Sequence, residues 1–356
     1  VPWLIPAVLL IAQASPAGPA VRIHGLVDVF YAVNANSPLD GASFLPGTGT
    51  TARRANELNV NAAALEVALD PHPVGFHLTL AFGSGPEVLH SGERTGSATS
   101  HEIWRSVYQA SVSWTAPIGS GLLVEAGIYP SHIGYESFFS KDNWNYTRGW
   151  MGEFSPYYQA GLKASYAFDA HWSAQIHFLN GWQVIGDNNR AKAVGTQIVW
   201  TNDRASVALN TFAGPELPGD DSHWRLFGDL TAQLKATSWL AVGATVDLGW
   251  QDRREGAALW HAAGLFARAA LSALAAVALR AEYYDDRDGF FSGAPQVLRD
   301  ATVTLELRPA EQLILKIEAR HDIAGAPVFT SRRDAAGNAT FSTTQTLALA
   351  SAVATF

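Results

Sequence analysis

The chain has 356 residues, of which 48% are hydrophobic and only 16% charged, against roughly 25% charged in ordinary soluble domains. Mean hydropathy is +0.03, and the body of the chain holds no run of about 20 apolar residues, as a spanning helix would need. The net charge of −8 is spread without a basic cluster, which argues against nucleic acid as a partner, and the absence of cysteine rules out disulfide scaffolds and thiolate metal sites.

The first twenty residues, "VPWLIPAVLLIAQASPAGPA", carry an apolar core from Trp3 to Ala12 followed by small residues around Ala14. This pattern is expected of a secretory signal peptide over residues 1–20, cleaved near Ala14 or Ala20. From Val21 onward the recurring signal is alternation with period two, which is a strand signature. In chain order it is clearest at Phe76, Leu78, Leu80 and Phe82; at Trp104, Tyr108, Ala110, Val112 and Trp114; and at Leu122, Val124, Ala126 and Ile128. It continues from Tyr158 to Phe168, from Trp172 to Phe178 and from Leu240 to Trp250. It is weakest around Asn56 to Leu69, Ala191 to Asn202 and Ala257 to Leu271.

About sixteen such segments end at Phe356, each roughly nine to fourteen residues long, which suits tilted strands crossing a bilayer in about 9 to 11 residues. Soluble strands more often stop at about five or six. Short turns such as Asp70 to Val74, Pro117 to Gly121 and Pro309 to Gln312 alternate with long polar stretches such as Asn34 to Ala55, Ser131 to Pro156 and Ile323 to Thr343. An even strand number with short turns on one side and long loops on the other is the pattern of an outer-membrane barrel. Trp114, Phe168, Trp172, Trp200 and Trp239 border short turns. Tyr31, Trp104, Tyr129, Tyr158, Trp224 and Trp250 border long loops, so two interfacial girdles are expected. The fold class expected is all-β: one transmembrane antiparallel barrel over residues 21–356, with both termini periplasmic.

Several stretches resemble the putative β-barrel porin-2, or OmpL-like, family of bacterial outer-membrane proteins. They are "GLVDVFYAVNANSP", "AGIYPSHIGYESF", "NYTRGW", "SPYYQAGLKASY", "NGWQVIGDNNRAK", "LRAEYYDDRDG" and "LKIEARHD", in order across most of the chain. The resemblance implies a porin-like channel and supplies no particular solute.

A channel needs a polar lumen, and the register assigns residues to it. With the aliphatic face toward lipid, the pore lining receives Glu125, Lys163, Arg225, Asp229, Asp247, Arg280, Glu282, Glu306, Lys316, Glu318 and Arg320, along with Asp28, Lys235, Thr302, Thr304 and Asp322. On the lipid side a Lys or Arg at midplane would cost roughly 2 to 4 kcal/mol. Positive and negative members nearly balance, so weak ion selectivity is expected. The segment from Ser131 to Pro156 is long and carries Glu136, Lys141, Asp142, Arg148 and Glu153 among aromatics. By analogy with general porins it is expected to fold inward as a constriction loop, its carboxylates facing Arg280, Lys316 and Arg320.

Competing readings are weaker. No HExxH, phosphate loop, dinucleotide fingerprint or nucleophile elbow is present. A barrel phospholipase or protease would have to use His321 with Asp322, or His101 with Glu102, and adjacent strand residues point to opposite faces. A non-conducting structural or adhesin barrel is the other alternative. No cofactor or metal is implied. The partners expected are outer-membrane lipid, small hydrophilic solutes and, as is common for barrels of this size, further copies in a homotrimer.

Overall fold

The computed structural model describes residues 20–39, 41, 43, 51–93 and 101–356; residues 1–19 of the expected signal peptide lie outside these. Sixteen antiparallel strands close on themselves. In chain order these are β1 Val21–Asn34, β2 Leu58–Leu69, β3 Val74–Phe82, β4 Val107–Ala116, β5 Leu122–Pro130, β6 Tyr158–Ala167, β7 Trp172–Leu179 and β8 Ala193–Thr201. They continue as β9 Ala205–Pro215, β10 Trp224–Lys235, β11 Leu240–Gln251, β12 Ala258–Ala270, β13 Ala275–Asp286, β14 Gln296–Ala310 and β15 Leu313–Ala324, and end with β18 Thr344–Thr355. The last long loop carries a separate hairpin, β16 Phe329–Arg333 with β17 Ala339–Ser342. Among the described residues, three short α-helices lie in loops: α1 Ser84–Leu89, α2 His101–Trp104 and α3 Trp150–Phe154.

The strands form for the reason the alternation gives. On β13, Arg280, Glu282 and Tyr284 are buried inward while Leu279 and Ala281 are exposed outward. On β15, Lys316, Glu318, Arg320 and Asp322 point inward, opposite Ile317, Ala319 and His321. Closure comes from β1, which pairs with β2 on one edge and with β18 on the other, in a register running from Leu26 opposite Thr355 to Asn34 opposite Leu347. Both ends of the barrel sequence, Val21 and Phe356, therefore lie at the short-turn rim. Phe356 is tied there by reciprocal backbone hydrogen bonds with Gly25, at 3.1 and 3.2 Å.

The short-turn girdle forms as expected, with Trp114, Phe168, Trp172 and Trp239 exposed on the outer wall. The loop-side girdle is thinner than the sequence suggested. Tyr31 and Trp224 are exposed there, but Tyr129 turns inward, where the Lys163 ammonium lies 4.6 Å from its ring centroid. Tyr158 is covered by the β3–β4 loop, its ring 4.7 Å from that of His90, and Trp104 sits on α2 rather than on a strand. Tyr108 departs from the dry face as well. The β3–β4 register jumps from Thr79 opposite Gln109 to Leu80 opposite Val107. This inserts one extra residue into β4, and a bulge of that kind turns the side chain to the other face.

Gly127 of β5 has φ 130°, and a Cβ there would lie 2.2 Å from the Ala110 carbonyl oxygen of β4. That backbone region is reserved for glycine and costs other residues about 1–3 kcal/mol even before the clash. Gly127→Val is expected to weaken the β4–β5 seam. The folded barrel band on unheated denaturing gels should then be lost at a lower temperature than in the wild type, and an unchanged transition would contradict this account.

Candidate lumenal site

The connection between β5 and β6, residues 131–157, runs inside the barrel and packs on the wall formed by β13, β14, β15, β18 and β1. Carrying peptide groups into an interior leaves their N–H and C=O groups in need of partners. The inward charges of the wall supply these partners. Lys316 Nζ donates to the carbonyls of Ser140 at 2.8 Å and Asn143 at 2.6 Å. Glu318 accepts from the Tyr146 and Thr147 amides at 2.6 and 3.0 Å and from the Thr147 hydroxyl at 2.6 Å. The Trp150 amide, at the start of α3, donates to Glu282 at 2.6 Å. From the opposite flank, Asp28 of β1 accepts from Tyr146 OH at 2.9 Å, and Asp229 of β10 accepts from the Gly134 amide at 2.8 Å.

Two arginines form the centre of this contact. Arg280 pairs with Asp300 at 2.8 Å and with Glu136 of the inserted segment at 3.0 Å, and donates to the Thr147 carbonyl. Arg320 pairs with Asp300 at 3.0 Å and Asp322 at 2.8 Å and donates to the Arg148 carbonyl. Its guanidinium lies 5.2 Å from the centroid of the Trp150 ring. Both side chains are fully buried. Gly149 is needed for the close approach, because a Cβ there would meet the Glu282 carboxylate at 1.9 Å.

The residues singled out from the sequence are thereby sorted into different environments. Arg280, Glu282, Lys316, Glu318 and Arg320 are covered by the inserted segment. Glu306 lies nearer the turn rim with Arg268 at 2.8 Å and Arg308 at 2.9 Å. Glu125 and Lys163 pair with each other at 2.5 Å on β5 and β6, while Asp229 and Asp247 stand opposite one another on β10 and β11. Of the loop charges, Glu136 meets Arg280, Lys141 pairs with Asp142 at 2.7 Å, and Glu153 is half-buried on α3. Arg148 is fully buried and turns back on its own segment, donating to the Ser137 carbonyl at 2.8 Å.

Opposite the anchored face, between the inserted segment and strands β1 to β5, lies a chamber of about 680 Å³. It reaches from His24 and Phe356 at the turn rim to Phe138 and Lys141 of the segment, with Glu66 and His77 on its wall. At the loop side, aromatic rings meet from several directions. Trp182 of the β7–β8 loop lies 5.0 Å from Phe212 and 4.9 Å from Phe227, Phe290 of the β13–β14 loop lies 5.6 Å from Trp260, and Phe154 lies 4.9 Å from Tyr284. The Arg225 guanidinium sits among Trp182, Phe290 and Phe291, 5.0 to 5.6 Å from their centroids. Glu216, in the β9–β10 loop, accepts the Trp182 amide at 3.0 Å. Burial raises its carboxyl to about 7, against the lowering influence of Arg225.

Sequence reasoning missed Asp300, which joins Arg280 to Arg320. The alternation that identified Thr302, Thr304 and Glu306 reaches it if extended by one step. It missed the aromatic cap as well, because the contributing rings are scattered over three loops and four strands with no local signature.

A closed antiparallel barrel with an outward apolar belt, girdling aromatics and a loop folded into its lumen defines an outer-membrane porin-like protein. Residues 20–356 match the family described as "Putative beta-barrel porin-2, OmpL-like", and the chain belongs to that family. Its place is the bacterial outer membrane. Among solved structures the fold is shared with an anion-selective porin from Comamonas acidovorans, at 12% identity and TM-score 0.60, covering 95% of this chain and 100% of that one. It is shared with the outer-membrane channel DcaP of Acinetobacter baumannii, at 11% identity and TM-score 0.59, covering 96% and 99%. It is also shared with the trimer form of OmpT of Vibrio cholerae, at 8% identity and TM-score 0.59, covering 96% and 100%. A comparison with proteins of curated function returned no match.

Two outcomes follow from this geometry. Arg280→Gln leaves Asp300 and Glu136 without their shared cation, a loss of about 3–5 kcal/mol for a broken buried pair. Thermal unfolding should move down, and trypsin should begin to cut at Lys141 or Arg148 in the intact barrel; full protease resistance would contradict the anchoring role. Glu216 provides a pH test. Its pKa in the closed cap lies above the ordinary carboxylate range, so closing binds a proton. The cap is therefore tightest at low pH and loosens as pH rises from the ordinary range to about 7. A spin label at Gly186 should be immobile at acid pH and more mobile above neutrality, and Glu216→Gln should remain immobile at both.

Proposed function

We propose that this protein is a porin: a water-filled channel passing small hydrophilic solutes or ions down their gradient, with residues 131–157 setting its constriction. The observation that carries this reading is the dense polar anchoring of the segment on one wall, with an open chamber left between it and β1 to β5. It is bound to the β13–β15 wall through Lys316, Glu318, Arg280 and Arg320, and the opposite side holds the open chamber. A segment that merely filled the barrel would have no reason to leave such a space. Charges beside the chamber include Glu66, Lys141 and Asp142, a mixed set that favours weak selectivity. The cap of aromatic rings at the loop side adds a hydrophobic narrowing, which limits conductance as long as those loops stay in place.

Of the two pairs considered for catalysis, His321 with Asp322 gives no support to an enzyme. His321 faces outward and binds Thr346 Oγ1 at 2.8 Å, whereas Asp322 faces inward to Arg320. The homotrimer is the assembly this reading favours, as in the trimer form of the Vibrio cholerae protein.

Planar-bilayer recording tests the proposal. The wild type should show small single-channel steps with little ion preference, and liposomes carrying it should swell in small sugars. Deleting Tyr135 to Gly152, in a variant confirmed as a heat-modifiable barrel, should raise unit conductance several-fold. Unchanged conductance would remove the constriction role, and no conductance in either form would overturn the channel.

A further inference from the structure

The outer wall carries a polar cluster that neither barrel closure nor the lumen requires. Outward strand positions are otherwise mostly aliphatic, aromatic or small, yet adjacent strands β12 to β15 bring His261, Tyr283, Arg299 and His321 outward at their loop-side ends. Arg299 is exposed, and Tyr283, its direct neighbour across β13 and β14, has its ring centroid 5.9 Å from the guanidinium. Among the described residues Arg299 makes no ion pair. His321 lies diagonally beside it, opposite Ala301 on the same register. Its Nδ1 meets Thr346 Oγ1 at 2.8 Å, and its Nε2 takes no partner among the described residues.

Immediately toward the turn side of this pair the wall is hollow. A trough of about 570 Å³ has Ala281, Ala301 and Ala319 as its floor and Leu265, Leu279 and Val303 along its sides, and it ends at His321 and Thr346. The floor exists because Ala281 and Ala301 pair across β13 and β14 while Ala319 of β15 lies one pleat toward the turn side, opposite Val303, so small side chains run diagonally across three strands. A dry groove that ends at a histidine, with an exposed arginine one pleat beyond it on the next strand, is amphiphilic in the manner of a lipid.

We propose that this is a binding site for a phosphorylated lipid of the outer leaflet, with a headgroup phosphate held by Arg299 and His321 and an acyl chain laid in the alanine trough. A guanidinium matches phosphate oxygens with two parallel hydrogen bonds, and an unpaired arginine on a lipid-facing wall is otherwise unfavourable. Charge complementarity selects the lipid over a second copy of this chain. On the strand faces, the described carboxylates point inward except Asp285, and that one is covered by Arg287 and His261. Another copy would therefore bring no free outward carboxylate on its strands to Arg299. The site depends on the outer-membrane placement of the protein and is independent of whether the barrel conducts.

The test uses the full chain purified in detergent and titrated with bisphosphorylated lipid A or with the same lipid stripped of phosphate, with bound lipid counted by native mass spectrometry. The wild type is expected to retain one phosphorylated lipid. The double variant R299Q/H321Q should bind it about tenfold or more weakly, a change equivalent to about 1.4 kcal/mol. A301F, which fills the trough and leaves the charges in place, should weaken binding to a similar extent. Both changes lie on the exposed wall, and heat-modifiability confirms the barrel in each. Equal retention of the two lipids, or unchanged affinity in R299Q/H321Q, overturns the proposal. So does a wild type that binds no lipid while A301F dissociates an oligomer, since the trough would then belong to a neighbouring copy.

Discussion

A peptide group removed from water must find a hydrogen-bond partner, and this requirement acts twice in the same molecule. In the bilayer it forbids an open sheet edge, so β1 and β18 must meet; their continuous register from Leu26 to Asn34 is the result. In the lumen it governs residues 131–157, whose chain has too little regular structure to satisfy itself. Lys316 serves carbonyls, Glu318 and Glu282 serve amides, and Arg280 and Arg320 reach further carbonyls. The charges on that wall act first as partners for backbone and only then as electrostatics.

This alters what a charged lumen means. If every inward charge faced water, selectivity would follow from their sum. Here the densest cluster, around Arg280, Asp300 and Arg320, is neutralised internally and sealed by the inserted segment, so the charges left beside the chamber are mainly Glu66, Lys141 and Asp142. The lumen is asymmetric, with the densest charge cluster under the segment on one wall and the open space on the other.

The outer wall follows the same reasoning in reverse. Where the lumen hides charge under backbone, the lipid face tolerates it only where something outside can answer it. Arg299 and His321 stand at the loop-side end of β14 and β15, above a floor of alanines, and a phosphate-bearing lipid answers both the charge and the hollow.

The sequence by itself determined the barrel, the strand number, the rim on which the termini lie and which face of most strands is wet. These follow from period-two alternation and loop length, which are local properties of the chain. It showed as well a long connection, Ser131 to Pro156, that mixes charges with aromatics. What only the tertiary structure decided was which charges meet. Asp300 joins Arg280 to Arg320 because three strands are held in register, and Glu136 reaches Arg280 across 144 positions of sequence. A one-residue bulge in β4 turned Tyr108 into the lumen, and the fold of the β3–β4 loop removed Tyr158 from the expected girdle. Alternation is set by each strand's own geometry, whereas bulges, loop paths and cross-barrel contacts depend on groups far apart in sequence, and no local pattern records them.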